Sequence, residues 1–404
     1  MVSLLFISAE LSPDDPMPTR VSAIARVLAR RGHRILLLCN AGRSVPGSVM
    51  ASFVQNFLPK MVIANSVVWM FPPALRLPIA TGFVKILRSV FNIVSSLLFV
   101  IVLLRLRALR VEAVYSSTAQ SQGLIASVLC AIWRIPLIVD YGDPSFARDT
   151  GILRKIGSLL ESISLNRSDA VISSDPVTSR YVYSRCGKTP IFLPNGYDST
   201  LFPSVACHSE RCLADRLVTF VGKIDTSVYR LDILLLASKR VIDAIPETRF
   251  RLIGGGPDIR KLQQLASDLG VQRSIDFAGF VPHENMASWI CESAVCVHMT
   301  NDTCLGMKVM EYMVCGKPTI IAAPWWDRYE IAIKSGYNCI TVPLDPDAVA
   351  TAILTVMRDR DYAVTLGRNA YETARRYSWE EISEAMIQTV RNLLGQPDAC
   401  WPHV

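Results

Sequence analysis

Glu311 is a carboxylate set in a glycine-bearing, helix-forming stretch of the chain. The stretch around it, VHMTNDTCLGMKVMEYMVCGKPTIIAAP at 297–324, reads as strand, glycine-bearing loop, short helix, glycine stop and second strand. Asn301 and Asp302 are turn and N-cap residues, and Met307, Met310 and Met313 join Val309 and Val314 in an apolar stripe. Gly316 supplies a left-handed stop and Pro318 prevents the helix continuing. A loop that opens a helix at the C-terminal edge of a parallel strand presents free backbone N–H groups and the positive end of the helix dipole. That combination suits phosphate. Glu311 then lies about two helical turns in, where its two oxygens can accept hydrogen bonds from two ribose hydroxyls. The alternative is an ordinary βαβ unit with a solvated glutamate.

Other chemistry-bearing residues point elsewhere or nowhere. Asp345–Pro–Asp347 and Asp359–Arg–Asp361 each spell DxD, a metal–nucleotide pattern, but the first caps a helix and the second falls in a surface turn. No metal site is expected. No GxGxxG is present, which argues against a nicotinamide cofactor. His283 and His298 are isolated and read as structural. The 11 cysteines form no CxxC pair, and Cys39, Cys130, Cys296 and Cys315 fall in apolar runs where buried free thiols belong. That usage suits a reducing compartment.

The elements that must position Glu311 alternate along the whole chain of 404 residues. Strands at 4–8, 35–39, 113–116, 136–140 and 170–173 are separated by helices at 21–31, 121–133 and 153–166. A second series follows, with strands at 217–221, 249–253 and 274–278 and helices at 232–244, 259–269 and 283–292. Helices at 347–357, 366–376 and 378–394 close the chain. This rhythm implies an α/β fold of two tandem, doubly wound, Rossmann-like parallel-sheet domains facing a cleft, with the last helix crossing back to the first domain. The turn cluster PNGYDSTLF at 194–202 marks the boundary. The expected domains are 1–202, 203–377 and a crossing helix and tail at 378–404. The opening MVSLLFISAE reads as a first strand and not as a signal peptide.

The net charge of +7 is unevenly spread. From Pro16 to Val111 there is no Asp or Glu, yet that stretch holds 13 of the 42 lysines and arginines. Such a domain is suited to an anionic surface. Within it, 89–104 is 16 residues without a charge, flanked by Lys85, Arg88, Arg105, Arg107 and Arg110. A spanning helix needs about 20 apolar residues, so this short run reads as a buried core helix or a helix lying in a membrane interface, with a true span as the third alternative.

The stretch LIGGGPDIRKLQQLASDLGVQRSIDFAGFVPHENMASWI, followed by 297–324, resembles the donor-binding half of a family 4 (group 1) glycosyltransferase of GT-B fold. PNGYD and YSWEEISEAMIQTVRNLL do so too, while ARVLARRGHRILLL and LIVDYGD resemble the acceptor-side domain. The resemblance implies a transferase that uses a nucleoside-diphosphate sugar, retains anomeric configuration and needs neither metal nor cofactor. Glu311 matches the second carboxylate of the family's E-x7-E motif, which binds ribose. Gly306, with Thr303, Leu305 and Met307 around it, matches the segment that holds the diphosphate through backbone N–H groups. Lys223, after Gly222, and Arg230 match the two basic residues that face the leaving diphosphate. Gly254 and Gly255, with Gly256, match the glycine loop beside the donor, and Phe280 with Val281 the loop that receives the base.

The sequence departs from the pattern at three places. Thr303 stands where the motif has its first Glu, with Asp302 adjacent but out of register. The histidine usual after the fourth strand is missing from YSSTAQS, and PMPTR replaces a glycine pair before the first helix. Asp143, in the turn YGDPS, is the remaining acceptor-side polar candidate. The basic, apolar first domain favours a membrane- or lipid-linked acceptor, such as a polysaccharide or glycolipid precursor. It also favours peripheral attachment to the cytoplasmic face of a membrane, with no nucleic-acid role. A catalytically silent GT-B scaffold and a nucleotide-sugar epimerase are the alternatives.

Overall fold

The structure, a computed structural model, describes residues 1–8, 19–39, 60–64, 66–71, 93–98, 100–101, 110–118, 121–142, 151–202, 216–301, 306–324 and 332–395. The chain divides into two compact units: Met1–Leu193 with Ile382–Val404, and Pro194–Glu381.

The first unit is built on an 8-stranded sheet. Its central strand β1 (Ser3–Ser8) is buried along its full length, as an uninterrupted SLLFIS run between two covered faces requires. Helix α1 (Arg20–Arg30) follows, capped by Thr19 and Ser22 in a reciprocal capping box. Its apolar face, Val21, Ile24, Ala25, Val27 and Leu28, recurs at helical spacing and is buried. Strand β2 (Arg34–Cys39) lies parallel to β1. Strand β3 (Lys60–Ala64) and strand β4 (Val67–Phe71) form a hairpin at the sheet edge, with β3 antiparallel to β4 and Ser66 in the left-handed region at φ 63°. The hairpin falls within 49–110, where the sequence predicts no strand, and adds one antiparallel edge to an otherwise parallel sheet.

Strands β5 (Ala113–Ser116), β6 (Leu137–Tyr141), β7 (Ala170–Ser173) and β8 (Ile191–Phe192) extend the other side in parallel. Helices α2 (Ser121–Trp133), α3 (Gly151–Arg167) and α4 (Pro176–Cys186) connect them. The order β3-β4-β2-β1-β5-β6-β7-β8 reverses direction between β1 and β5, which is the topological switch point.

The apolar run at 89–104 is helical at 93–98 and 100–101. Val100 is buried, and Ile93, Leu97 and Ile101 pack on the unit's core. On the opposite side Val94 is 48% and Leu98 57% exposed. The segment is therefore core on one face and apolar outward on the other. Among the described residues no helix is long and apolar enough to cross a membrane.

The second unit has a 6-stranded, wholly parallel sheet in the order β11-β10-β9-β12-β13-β14. The strands are β9 (Leu217–Val221), β10 (Arg249–Ile253), β11 (Ile275–Gly279), β12 (Val295–Met299), β13 (Thr319–Ala322) and β14 (Ile340–Val342). The helices are α5 (Leu231–Ala244), α6 (Ile259–Asp268), α7 (Met286–Cys291), α8 (Met307–Val314), α9 (Pro346–Arg358) and α10 (Arg360–Ala374), followed by the first residues of α11 (Trp379–Leu393). Here the order reverses between β9 and β12. Tyr197 belongs to this unit: its N–H reaches the Tyr377 carbonyl at 3.2 Å, and its own carbonyl accepts from Trp379 at 3.0 Å. From Ile382 onward α11 falls in the first unit, where Glu384 pairs with Arg31.

Candidate functional site

The carboxyl edge of the second sheet brings together most of the residues singled out from the sequence. Three strand ends interlock there. The N–H of Gly222, after β9, donates to the Ile253 carbonyl at 3.0 Å, and that of Gly254, after β10, to the Gly279 carbonyl at 2.7 Å. Gly254 has φ +132°, and a Cβ on it would stand 1.9 Å from the Gly222 carbonyl oxygen. Gly256 is equally tight, 2.0 Å from the Ile224 carbonyl oxygen, whereas Gly255 has open space. The glycines at 254 and 256 are thus required by loop-on-loop packing within the protein.

Helix α8 carries Glu311. It begins at Met307, with Gly306 as an N-cap that makes no side-chain capping bond. Glu311 is therefore little more than one turn in, shallower than the two turns expected, because the helix begins at Met307 with Gly306 as its N-cap. Gly306 is tightly fixed: a Cβ there would stand 2.7 Å from Cε1 of His298. His298, on β12, is 2% exposed, and its Nδ1 has no hydrogen-bond partner. Burial pushes its pKa down to about 4, so it is neutral near pH 7. Tyr312 pins α8 to the end of β9, its hydroxyl accepting from the Val221 N–H at 2.7 Å and donating to the Val221 carbonyl at 3.3 Å.

Glu311 is not a solvated helix residue. It is 4% exposed, and both its oxygens are engaged by the Lys308 ammonium, at 2.9 and 2.8 Å. His283 Nε2 meets Oε1 at 3.1 Å. The His283 ring, read from the sequence as isolated, also lies 5.7 Å from the Phe202 ring. Neither partner was assigned to the site by sequence reasoning, although the spacing of Lys308 and Glu311, three apart on one helix, carried a signal.

The two cations expected to face a diphosphate have local partners. Lys223 pairs with Asp225 at 2.7 Å, and its side chain is 61% exposed. Hydrogen bonds from Lys223 and Ser227 hold the Asp225 carboxyl down at about 2. Arg230, the residue before α5, reaches Asp232 at 2.9 Å through Nε and 2.8 Å through Nη2. Phe280 presents a ring that is 63% exposed, whereas the Val281 side chain is buried and leaves only its backbone for a ligand. Asp302, Thr303 and Leu305 lie outside the described residues, as does Asp143.

The DxD aspartates serve helix ends. Asp345 accepts from the N–H groups of Asp347 and Ala348 at 3.0 and 2.9 Å, and Asp359 from that of Tyr362 at 2.9 Å. Among the described residues no cluster of His, Cys, Asp or Glu could hold a metal ion.

The first sheet's carboxyl edge holds a buried polar group that sequence reading missed. Asp140, at the end of β6, accepts from Arg20 Nε at 2.6 Å and from the Tyr115 hydroxyl through one oxygen. Its other oxygen is buried without a partner. Arg20 Nη2 also donates to the Leu193 carbonyl at 2.8 Å, which ties α1 to the chain after β8. Beside the switch point the Ser117 hydroxyl donates to Ser8 Oγ at 3.0 Å. Burial and the Asp140 charge push the Tyr115 hydroxyl well above its ordinary pKa. The signal was a lone aspartate inside the apolar strand LIVDY.

Residues 215–359 match the family described as glycosyl transferases, group 1. Over 194 residues the chain is 26% identical to D-inositol 3-phosphate glycosyltransferase of Corynebacterium urealyticum, covering 46% of this chain and 45% of that one. It is 24% identical over 226 residues to phosphatidyl-myo-inositol mannosyltransferase of Mycolicibacterium smegmatis, covering 55% and 57%. The chain spans about half the length of these relatives. Among solved structures, sucrose-phosphate synthase from Thermosynechococcus elongatus superposes with a TM-score of 0.74 at 18% identity over 97% of this chain and 99% of that one. HepE of Anabaena in complex with UDP superposes with a TM-score of 0.69 at 17% identity over 97% and 100%. The fold is GT-B.

Proposed function

We propose that this chain, which carries a group 1 glycosyl transferase domain in a GT-B fold, moves a sugar from a nucleoside-diphosphate sugar to a membrane- or lipid-linked acceptor. The observation that carries the reading is Glu311: a buried carboxylate one turn inside a helix whose N-terminus has no side-chain cap, at a topological switch point. In this reading Glu311 accepts the ribose hydroxyls, and the backbone N–H groups of Gly306 and Met307, with the loop of Thr303 and Leu305, hold the diphosphate. Gly222, Gly254 and Gly255 line the donor with backbone. The base lies along Phe280 and the backbone of Val281. Lys223 and Arg230 stabilise the departing diphosphate in place of a metal, and the family resemblance implies retention of anomeric configuration. Asp143 orients the acceptor hydroxyl.

A lipid-linked acceptor is supported by the name of the mycolicibacterial relative, which acts on phosphatidyl-myo-inositol. It is supported also by the acid-free basic stretch and by the outward Val94 and Leu98. These features suit peripheral attachment to the cytoplasmic face of a membrane.

The test is calorimetric titration of UDP and GDP into the wild type and Glu311→Gln, paired with a transfer assay in EDTA using the matching nucleotide sugar. Loss of a hydrogen bond to a charged group costs about 1.5–3 kcal/mol, so Glu311→Gln should bind roughly ten- to hundredfold more weakly. Turnover should persist in EDTA. Unchanged nucleotide affinity in the variant refutes the assignment of Glu311, and activity restored only by added manganese refutes the metal-free mechanism.

A further inference from the structure

Lys308 occupies the carboxylate that the donor is expected to use. Its ammonium contacts both Glu311 oxygens, while His283 takes a second position on Oε1. A carboxylate offers about four lone-pair sites, so two ribose hydroxyls cannot both be received in favourable geometry while these contacts all stand. The pair is also poorly placed for a helix. Lys308 lies in the first turn of α8, beside the positive end of the dipole, and precedes its acidic partner by three residues. The reverse order is the favoured one.

The lysine is equally well placed to leave. Helical side chains lean toward the N-terminus, and Gly306 lies only two residues back, about 3 Å along the axis. Lys308 must curl against that lean to reach Glu311. Its side chain is 12% exposed, and two of its three N–H groups are spent on one carboxylate. Among the described residues no other acceptor meets the third. An anion at the helix N-terminus would satisfy it and relieve the dipole.

We propose that Lys308 is a donor-binding residue that exchanges partners: it holds Glu311 while the site is empty and turns to the diphosphate as a nucleotide enters. The turn frees the carboxylate for the ribose. The inference rests on the assignment of Glu311 and Gly306 to the nucleotide. Its consequence is an opposition between nucleoside and nucleotide. A nucleoside must displace Lys308 and gives it nothing in return, whereas a nucleoside diphosphate supplies the new partner.

The experiment is calorimetry of uridine and UDP against the wild type, Lys308→Met, Lys308→Gln and Lys308→Arg. Guanosine and GDP replace them if GDP is the nucleotide that the wild type binds. Lys308→Met should bind the nucleoside at least about two- to fivefold more tightly, since a competing buried ion pair is gone. It should bind the diphosphate at least about tenfold more weakly, since a charge-assisted contact is lost. Lys308→Arg should keep most of the diphosphate affinity. Melting temperatures report whether each variant is folded, and Lys308→Gln gives the same two signs if the methionine variant is not. A purely structural lysine moves both ligands in one direction, and that result, or no change in either, overturns the exchange. Wild-type protein that binds neither UDP nor GDP, or a Glu311→Gln variant that binds as the wild type does, overturns the nucleotide site itself.

Discussion

Acidification should destabilise the second unit through His298, and the size of the loss can be worked out. His298 is 2% exposed on β12, with Nδ1 lacking any hydrogen-bond partner. Burial sets its folded pKa at about 4, against an ordinary value of 6.5. The folded value is below the unfolded one, so as pH falls through 6.5 the unfolded chain takes the proton first. Stability is fully present above that pH and is lost progressively down to about 4. The shift of roughly 2.5 units is worth about 3 kcal/mol at its limit, and about 2 kcal/mol has gone by pH 5. The proton would also place a cation beside Gly306, at the positive end of α8, which adds to the cost.

Urea unfolding of the full chain at pH 7.5 and pH 5.0, followed by tryptophan fluorescence, measures this. Trp289 lies in the second unit, where Arg251 stacks 4.8 Å above its ring. Carboxylates titrate too, so the informative quantity is the comparison with His298→Leu, which removes only the imidazole. The wild type should lose about 2 kcal/mol more than the variant between the two pH values. Equal losses would mean that His298 is solvated or already paired, and the reasoning from burial would fall.

Two further outcomes are expected. Gly254→Ala must place a methyl 1.9 Å from a carbonyl oxygen at φ +132°, and should cost about 3 kcal/mol or more in urea unfolding. Gly255→Ala, which meets open space, should cost under about 1 kcal/mol, and similar values for the two would refute the interlock. In vesicle flotation the protein should rise with anionic vesicles, less so at high salt, and remain behind with neutral ones, because each basic residue near an anionic surface contributes about 1 kcal/mol. Protein left at the bottom with both vesicle types removes the case for a membrane-borne acceptor.

The second unit was largely legible because its signals are local. Strands such as LVTFV and VCVHM are buried along their whole length and read as continuous apolar runs. The first unit was less so. Helix α4 buries only Thr178 and Val182, too little to form an apolar stripe, although Asp175 and Pro176 marked its start. The β3–β4 hairpin lay in a stretch of mixed apolar and basic residues with no clean alternation, where edge pairing and not pattern decides. Asp143 drew notice as a turn residue before proline, whereas the partners of Asp140 lie 120 residues away at Arg20 and 25 away at Tyr115. No local rule brings those together.

The donor-side charges follow the same division, and it orders their expected effects. Lys223–Asp225, Arg230–Asp232 and Lys308–Glu311 are each pairs within three residues, so all three could be read along the chain. What could not be read is burial. The side chains of the first pair are 61% and 14% exposed and those of the second 36% and 29%. Exposed pairs of this kind contribute about 0–1 kcal/mol, so a diphosphate can draw Lys223 and Arg230 away from their aspartates at little cost. The third pair is 12% and 6% exposed, with a histidine from another element closing over it. There the exchange of partners decides affinity, because taking one partner from a buried ion pair is costly unless another replaces it. On the proposed reading, the ribose must arrive as the lysine leaves.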